Sequence, residues 1–473
     1  MNILKNIFKV VVGNASTILS GIFIGFLLPK IVSLSDYGFY KIFTLYFNYL
    51  GVLSLGIIDG IVLKYGGNNY DEFDKEKFRS FFAWYTIIHV AFTLIILIVA
   101  LILKDADYKF VILMLGANLF AVNVNGYFQQ VSQITQRFKE YSAMKIFQSV
   151  ANVLLVGFMF LMFQFEFATV TYRIYLWGYL GVNAIIASWY IYSYREIVFG
   201  ARHTLKNSIK DVFSLAKYGF PLLLANLCST LMLSMDRQLV SIVFKPEEYA
   251  VYAFAYSILS LITVATSSVS AVIYPMFKRM DLQALKNNYQ YIQFILLAFI
   301  FGVLIVFYPL CYFINWFLPA YTYSLKIFRI ILPGLAISSS VTVIMHNYYK
   351  VFGKSSLFFK KSIVALIISV CSNVSAFLIF KTREAISMSS IISLLAWYVI
   401  SETTIVKESG YNFKNMAYMI GMIAMFYLLT IIKIYWLGMV INILGYIVTT
   451  LFVYRQEILN LKNTFIRKKE GVE

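Results

Sequence analysis

Charge is scarce in this chain. Only 13% of its 473 residues are Asp, Glu, Lys or Arg, against 60% hydrophobic residues and a mean hydropathy of +0.76. A water-soluble protein of this length cannot hide so much apolar surface, so lipid must be its solvent. Long polar blocks are missing too. The breaks between apolar stretches are loop-sized, which excludes a soluble domain of any size. Cysteine is nearly absent: Cys228, Cys311 and Cys371 all fall inside apolar stretches, so neither a disulfide framework nor a metal cluster is indicated. No Gly-rich phosphate loop, HExxH pair or nucleophile elbow occurs. These absences argue against an enzyme, a cofactor and a bound-ATP motor.

What is there is apolar sequence, punctuated. A span needs ~20 apolar residues to cross ~30 Å of hydrocarbon. By that criterion about fourteen spans are expected, at 7–33, 41–65, 80–103, 110–134, 146–164, 172–194, 212–243, 250–277, 291–317, 327–350, 362–380, 385–405, 416–432 and 436–454. The first is too long for a cleaved signal. The formal charge of +18 comes from 40 basic and 22 acidic residues. Its basic members concentrate in alternate breaks, at 66–79, 136–145, 195–211, 278–290, 351–361, 406–415 and the tail from Arg455. That pattern fixes orientation and meets anionic membrane lipid, with both termini in the cytoplasm; it does not indicate nucleic acid.

The chain also repeats itself. A shift of 212 residues places Phe8 on Phe220, Asn14 on Asn226, Leu19 on Leu231, Tyr37 on Tyr249 and Tyr40 on Tyr252. The outer turn at 36–40 then overlays 248–252 without a gap. A shift of 214 later places Gln133 on Asn347, Phe138 on Phe352 and Ser142 on Ser356. The expected fold is an all-α integral membrane protein with two pseudo-symmetric six-helix lobes, at 1–200 and 201–410. A helix hairpin at 411–454 and a basic tail at 455–473 follow. Parallel repeats of this kind place a transport site where the halves meet.

Ionisable residues inside spans cost roughly 2.5–3.5 kcal/mol each on insertion scales, so they turn toward protein or a wet cavity. Asp236 and Arg237 point ~100° apart on one helix and cannot face each other. One reading is a structural pair to another helix. The other has Arg237 attracting an anion while Asp236 takes a proton or anchors the helix. Asp59 and His89 are further candidates for ion coupling, against the plainer readings of a hydrated carboxylate and a packed histidine. Neutral polar stripes are more telling. Tyr256, Ser260, Thr263, Ser267, Ser270 and Tyr274 follow one helix face, as do Asn118, Asn125, Gln129 and Gln133, and Ser339, Thr342 and His346. Ser and Thr stripes often serve only helix packing in lipid, but buried Asn and Gln need partners. With Asn14 and Asn226 these residues outline a hydrated cleft suited to sugars and a phosphate.

At this point the sequence resembles a known family. Asn14, Leu28-Pro29-Lys30 and Asp36-Tyr37-Gly38-Phe39-Tyr40 are similar to the first span and turn of bacterial polysaccharide flippases. These are the O-antigen (Wzx-type) transporters of the multidrug/oligosaccharidyl-lipid/polysaccharide exporter superfamily. Tyr218-Gly219-Phe220-Pro221, Asp236-Arg237 and Tyr249-Ala250-Val251-Tyr252 repeat the resemblance in the second half. It implies two lobes around a cavity that move undecaprenyl-diphosphate-linked oligosaccharide repeat units across the cytoplasmic membrane by alternating access. It also implies ion coupling, with a polysaccharide polymerase and a chain-length regulator as partners. A multidrug/cation antiporter of the same superfamily would share the fold with a more acidic cavity, and a lipid II or teichuronic-type exporter would differ in glycan.

The charge pattern is testable directly. A green fluorescent protein fused after residue 473 should fluoresce and an alkaline phosphatase fused there should stay inactive; the reverse result would invert the orientation.

Overall fold

In the computed structural model, backbone is described for residues 2–410, 413–432 and 434–457. Side chains are described from Val12 onward, apart from 205, 264–272, 274, 275, 279 and 408. Helices account for nearly all of it, and no strand occurs among the described residues.

In chain order the helices are α1 (Asn2–Ile31), α2 (Leu34–Phe47), α3 (Ile57–Tyr65), α4 (Lys75–Ile102), α5 (Ala106–Ile134), α6 (Phe138–Gln164) and α7 (Tyr172–Ser193). They continue with α8 (Leu205–Met232), α9 (Met235–Val243), α10 (Pro246–Arg279), α11 (Leu282–Asn287), α12 (Tyr289–Val303), α13 (Phe307–Phe317), α14 (Ser324–Ile331) and α15 (Gly334–Ser339). The last are α16 (His346–Val351), α17 (Ser355–Phe380), α18 (Arg383–Ser409), α19 (Lys414–Leu429) and α20 (Tyr435–Val453). Among the described residues ten helices are long and apolar enough to cross a membrane, or twelve if each of two bent pairs is one span. Each of the fourteen expected stretches is helical. Five of them are not plain long spans: two are bent by 59° and 42°, the one at 212–243 is interrupted after Met232, α19 is short, and α10 passes through residues whose side chains are not described.

Three local expectations change. The turns expected at 36–40 and 248–252 are helix starts, because Ser33 caps α2 by accepting from Asp36 N at 3.0 Å and Pro246 opens α10. The break expected at 136–145 is mostly helix, since α6 begins at Phe138, so Lys145 lies on a span rather than in a loop. The span expected at 212–243 is interrupted after Met232, and Asp236 and Arg237 ride on the short helix α9.

The chain divides into two compact units, Met1–Thr230 with Ser241–Ala253 and Leu231–Val240 with Phe254–Glu473. In the first, α1 lies against α6 through Gly13, where an added Cβ would sit 3.3 Å from the Ser142 backbone, and through a Ser16–Ser149 hydrogen bond of 3.3 Å. The kink between α2 and α3 passes through Leu55 (φ 52°) and Gly56 (φ 81°). It frees the Leu50 carbonyl, which accepts from Asn123 Nδ2 at 3.2 Å, as a chain in hydrocarbon requires. Backbone then meets backbone between α3 and α8. A Cβ on Gly60 would fall 2.1 Å from the Leu215 carbonyl oxygen, and one on Gly219 would fall 2.1 Å from that of Gly56.

In the second unit α17 and α18 are joined by small polar residues. Ser372 and Ser393 bond at 2.7 Å, Ser389 donates to Ser372 at 3.0 Å, and Ser390 donates to Asn373 at 3.1 Å. The α20 helix is held by Asn442 donating to the Tyr308 hydroxyl at 3.3 Å and by a 2.8 Å bond between Tyr418 and Thr450.

The α3–α8 crossing gives a clean test. Gly60→Leu or Gly219→Leu should destabilise the purified protein by about 1–3 kcal/mol or more, read as a lower unfolding temperature. Gly157→Ala, which meets nothing within 4 Å on α6, should not.

Candidate functional site

Among the described residues, two cavities, one in each unit and each built from that unit's own helices, contain the residues that the sequence singles out. The first, of about 190 Å³, opens between α2, α5, α6 and α7. Its polar lining is Asn125 and Gln129 from α5, Lys145 and Gln148 from α6, and Tyr179, Asn183 and Tyr190 from α7. The amides are tied together at the back. Asn183 Nδ2 donates to Asn118 Oδ1 at 3.2 Å, Asn125 Nδ2 donates to the Asn183 carbonyl at 3.1 Å, and Gln148 donates to Asn183 Oδ1 at 3.4 Å. Asn118, fully buried, therefore supports the wall from behind and also bonds the Met114 carbonyl.

The second cavity, of about 280 Å³, lies between α9, α10, α15, the π-helical turn Ser340–Met345, and α18. Asp236 and Arg237 form its charged end. Asp236 is 3% exposed and accepts a hydrogen bond from the Tyr256 hydroxyl and from Arg237 N at 2.8 Å. The Arg237 guanidinium lies 4.7 Å from the Tyr256 ring centroid and donates through Nη2 to the Leu233 carbonyl at 2.9 Å. Its Nε is buried with no hydrogen-bond partner. One tyrosine thus serves both charges, through its hydroxyl and its face. Ser260, Thr263, Ser338 and Thr342 donate their hydroxyls to carbonyls of their own helices, which leaves oxygen lone pairs toward the cavity.

The structure separates the sequence candidates. Asn125 and Gln129 meet in the first cavity; Asp236, Arg237, Tyr256, Ser260, Thr263, Ser339 and Thr342 meet in the second. Ser267 and Ser270 lie outside the described side chains. The stripe on the tenth span stops at Thr342, because the π-turn shifts the helix register. His346 packs instead with its ring 4.5 Å from that of Phe358. His89 is fully buried, with Nδ1 2.7 Å from the Tyr85 carbonyl and its ring against Tyr85. Asp59 sits in the first turn of α3, where a carboxylate complements the helix dipole, and lines neither cavity. Asn14 is half-buried and accepts from the Tyr141 hydroxyl at 3.4 Å; Gln133 is half-buried and Asn226 exposed, both outside the two linings.

Several lining residues escaped the sequence reading. Lys145 was hidden by its assignment to a loop, although Lys145 and Gln148 are three apart and share a helix face. Asn183 and Tyr179 are four apart on α7 and carry the same signal. Ser338 opens the run Ser338-Ser339-Ser340 and Ser390 follows Ser389, so spacing alone does not tell which serine of each group faces the cavity.

The cavities also correspond through the internal repeat. Phe47 and Leu259, related by 212 residues, line the first and second cavities, and so do Asn125 and Ser339, related by 214. Their cations do not correspond, since Arg237 matches Gly25 and Lys145 matches Phe359.

Tyr256→Phe should keep the ring under Arg237 but deprive buried Asp236 of a donor, costing about 1–3 kcal/mol. Thermal unfolding of the purified variant measures it.

Comparison with solved structures shows the fold. A lipid II flippase, MurJ, in an inward closed conformation matches with a TM-score of 0.71 at 16% identity, covering 96% of this chain and 100% of that one. A multidrug resistance MATE family transporter of the MOP superfamily in its outward-facing conformation matches at 0.54 and 12% identity, covering 85% and 95%. A MOP superfamily transporter from Pyrococcus furiosus matches at 0.54 and 14%, covering 86% and 95%. No curated protein matches in sequence. The family model for polysaccharide biosynthesis proteins matches residues 3–281. With more than half of its length inside that match, the chain belongs to the polysaccharide biosynthesis protein family, and its fold is like those of the MurJ and MATE structures.

Proposed function

We propose that this protein is a flippase that moves undecaprenyl-diphosphate-linked oligosaccharide repeat units from the inner to the outer leaflet of the bacterial cytoplasmic membrane, by alternating access. The observation that carries the reading is Arg237. It is a guanidinium inside a membrane-embedded cavity, with a buried Nε–H that no protein acceptor satisfies. A planar guanidinium with an unused donor suits a phosphate oxygen, and serine and threonine lone pairs around it suit sugar hydroxyls. Family membership supports the glycan half of the proposal, and the lipid II flippase fold suits a lipid-linked substrate. Asp236 is the coupling group in this reading, because Asp59 and His89 line neither cavity. The first-cavity cation Lys145 and the guanidinium Arg237 weigh against a cation exporter, since they would repel the cargo. The diphosphate meets Arg237, the lipid tail stays in the bilayer, and polymerisation of the repeat units follows on the far side.

The test is a strain in which Arg237→Gln replaces the wild-type protein. Surface polymer should fall at least tenfold while the variant reaches the membrane at normal levels. Normal polymer with normal membrane levels would overturn the anion role of Arg237.

A further inference from the structure

The first cavity belongs to the other unit and contains no part of the Arg237 site. Its chemistry is different. Lys145 is its cation, and α6 carries it about 10 Å beyond the helix start at Phe138, at 1.5 Å per residue, well inside the span. No ion pair to Lys145 exists among the described residues; its ammonium has the Tyr141 ring 5.9 Å away and no carboxylate in the lining. A membrane-embedded ammonium without a counter-ion is costly and marks a site for an anion. A second observation points the same way. Asn125 Oδ1 is buried and has no hydrogen-bond partner, an acceptor waiting for a donor. Gln129 and Gln148 add amide donors and acceptors, and Phe47 and Tyr179 supply ring surface. The volume, about 190 Å³, is many times the ~10–15 Å³ that one water needs.

From the unpaired Lys145, the orphaned Asn125 acceptor and the amide-lined walls, we infer that this cavity binds an acidic sugar, with its carboxylate on Lys145 and its hydroxyls on the amides. A bare anion satisfies the ammonium but has no hydroxyl for Asn125 Oδ1. A neutral hexose satisfies Asn125 but leaves the charge alone. A sugar bearing a carboxylate answers both. For the source of that sugar the inference rests on the flippase reading above, and it narrows the substrate to repeat units containing a uronic-acid-type residue. Whether the cavity binds such a sugar is independent of transport.

The experiment is equilibrium binding to the purified full-length protein in lipid nanodiscs, with glucuronate, glucose and inorganic phosphate as probes. Glucuronate should bind at least tenfold more tightly than either glucose or phosphate. Lys145→Gln should abolish its advantage over glucose, and Lys145→Arg should keep it. Gln148→Ala retains the charge and should weaken glucuronate several-fold, which keeps the test decisive if Lys145→Gln does not fold. Equal affinity for glucuronate and glucose overturns the charge on the proposed ligand, and equal affinity for glucuronate and phosphate overturns the sugar. A Lys145→Gln protein that keeps its preference overturns the site. Unchanged lipid intermediates in a strain lacking the gene would sink the flippase reading and leave the binding result standing.

Discussion

Hydrocarbon offers no hydrogen bonds, and the rest of the structure follows from that constraint. It makes the chain helical nearly throughout. It also requires that wherever a helix is broken, some side chain replaces the lost partner. Asn123 does so for the Leu50 carbonyl at the kink between α2 and α3. Between α17 and α18 it selects serines that bond one another across the interface. Where glycine removes the side chain altogether, as at the Gly56–Gly60–Gly219 crossing, backbones meet directly and dispersion replaces the polar contact.

Against that background unsatisfied polar atoms stand out. Of the buried side-chain polar atoms without a hydrogen-bond partner among the described residues, Arg237 Nε and Asn125 Oδ1 are the two whose residues line these cavities. The two cavities share the offset-related lining pairs Phe47/Leu259 and Asn125/Ser339, and each has its positive charge on a different helix, Lys145 on α6 and Arg237 on α9.

The fold was legible because membrane helices announce themselves by length and apolarity, so every expected stretch is helical. Edges and breaks were not. A helix start such as Ser33 before Asp36 reads as a turn until its cap is seen, and the interruption after Met232 falls in apolar sequence with no proline or glycine to mark it. The second cavity was largely legible, since Arg237 and the stripe from Tyr256 through Thr263 obey helical periodicity. His346 departed from its stripe because a π-turn changes the period, which no count by threes and fours can foresee. The first cavity was half legible. Asn125 and Gln129 stood on a visible stripe, whereas Lys145 looked like one more loop lysine among many. Its place in the cavity depends on α2, α5 and α7 converging with α6, and that is tertiary information.

The most direct measurement is mass spectrometry of membrane lipid extracts from the source strain with and without this gene. For a flippase, loss of the gene should leave undecaprenyl-diphosphate oligosaccharide accumulating in the membrane while surface polymer disappears. Lipid intermediates that do not change would contradict it.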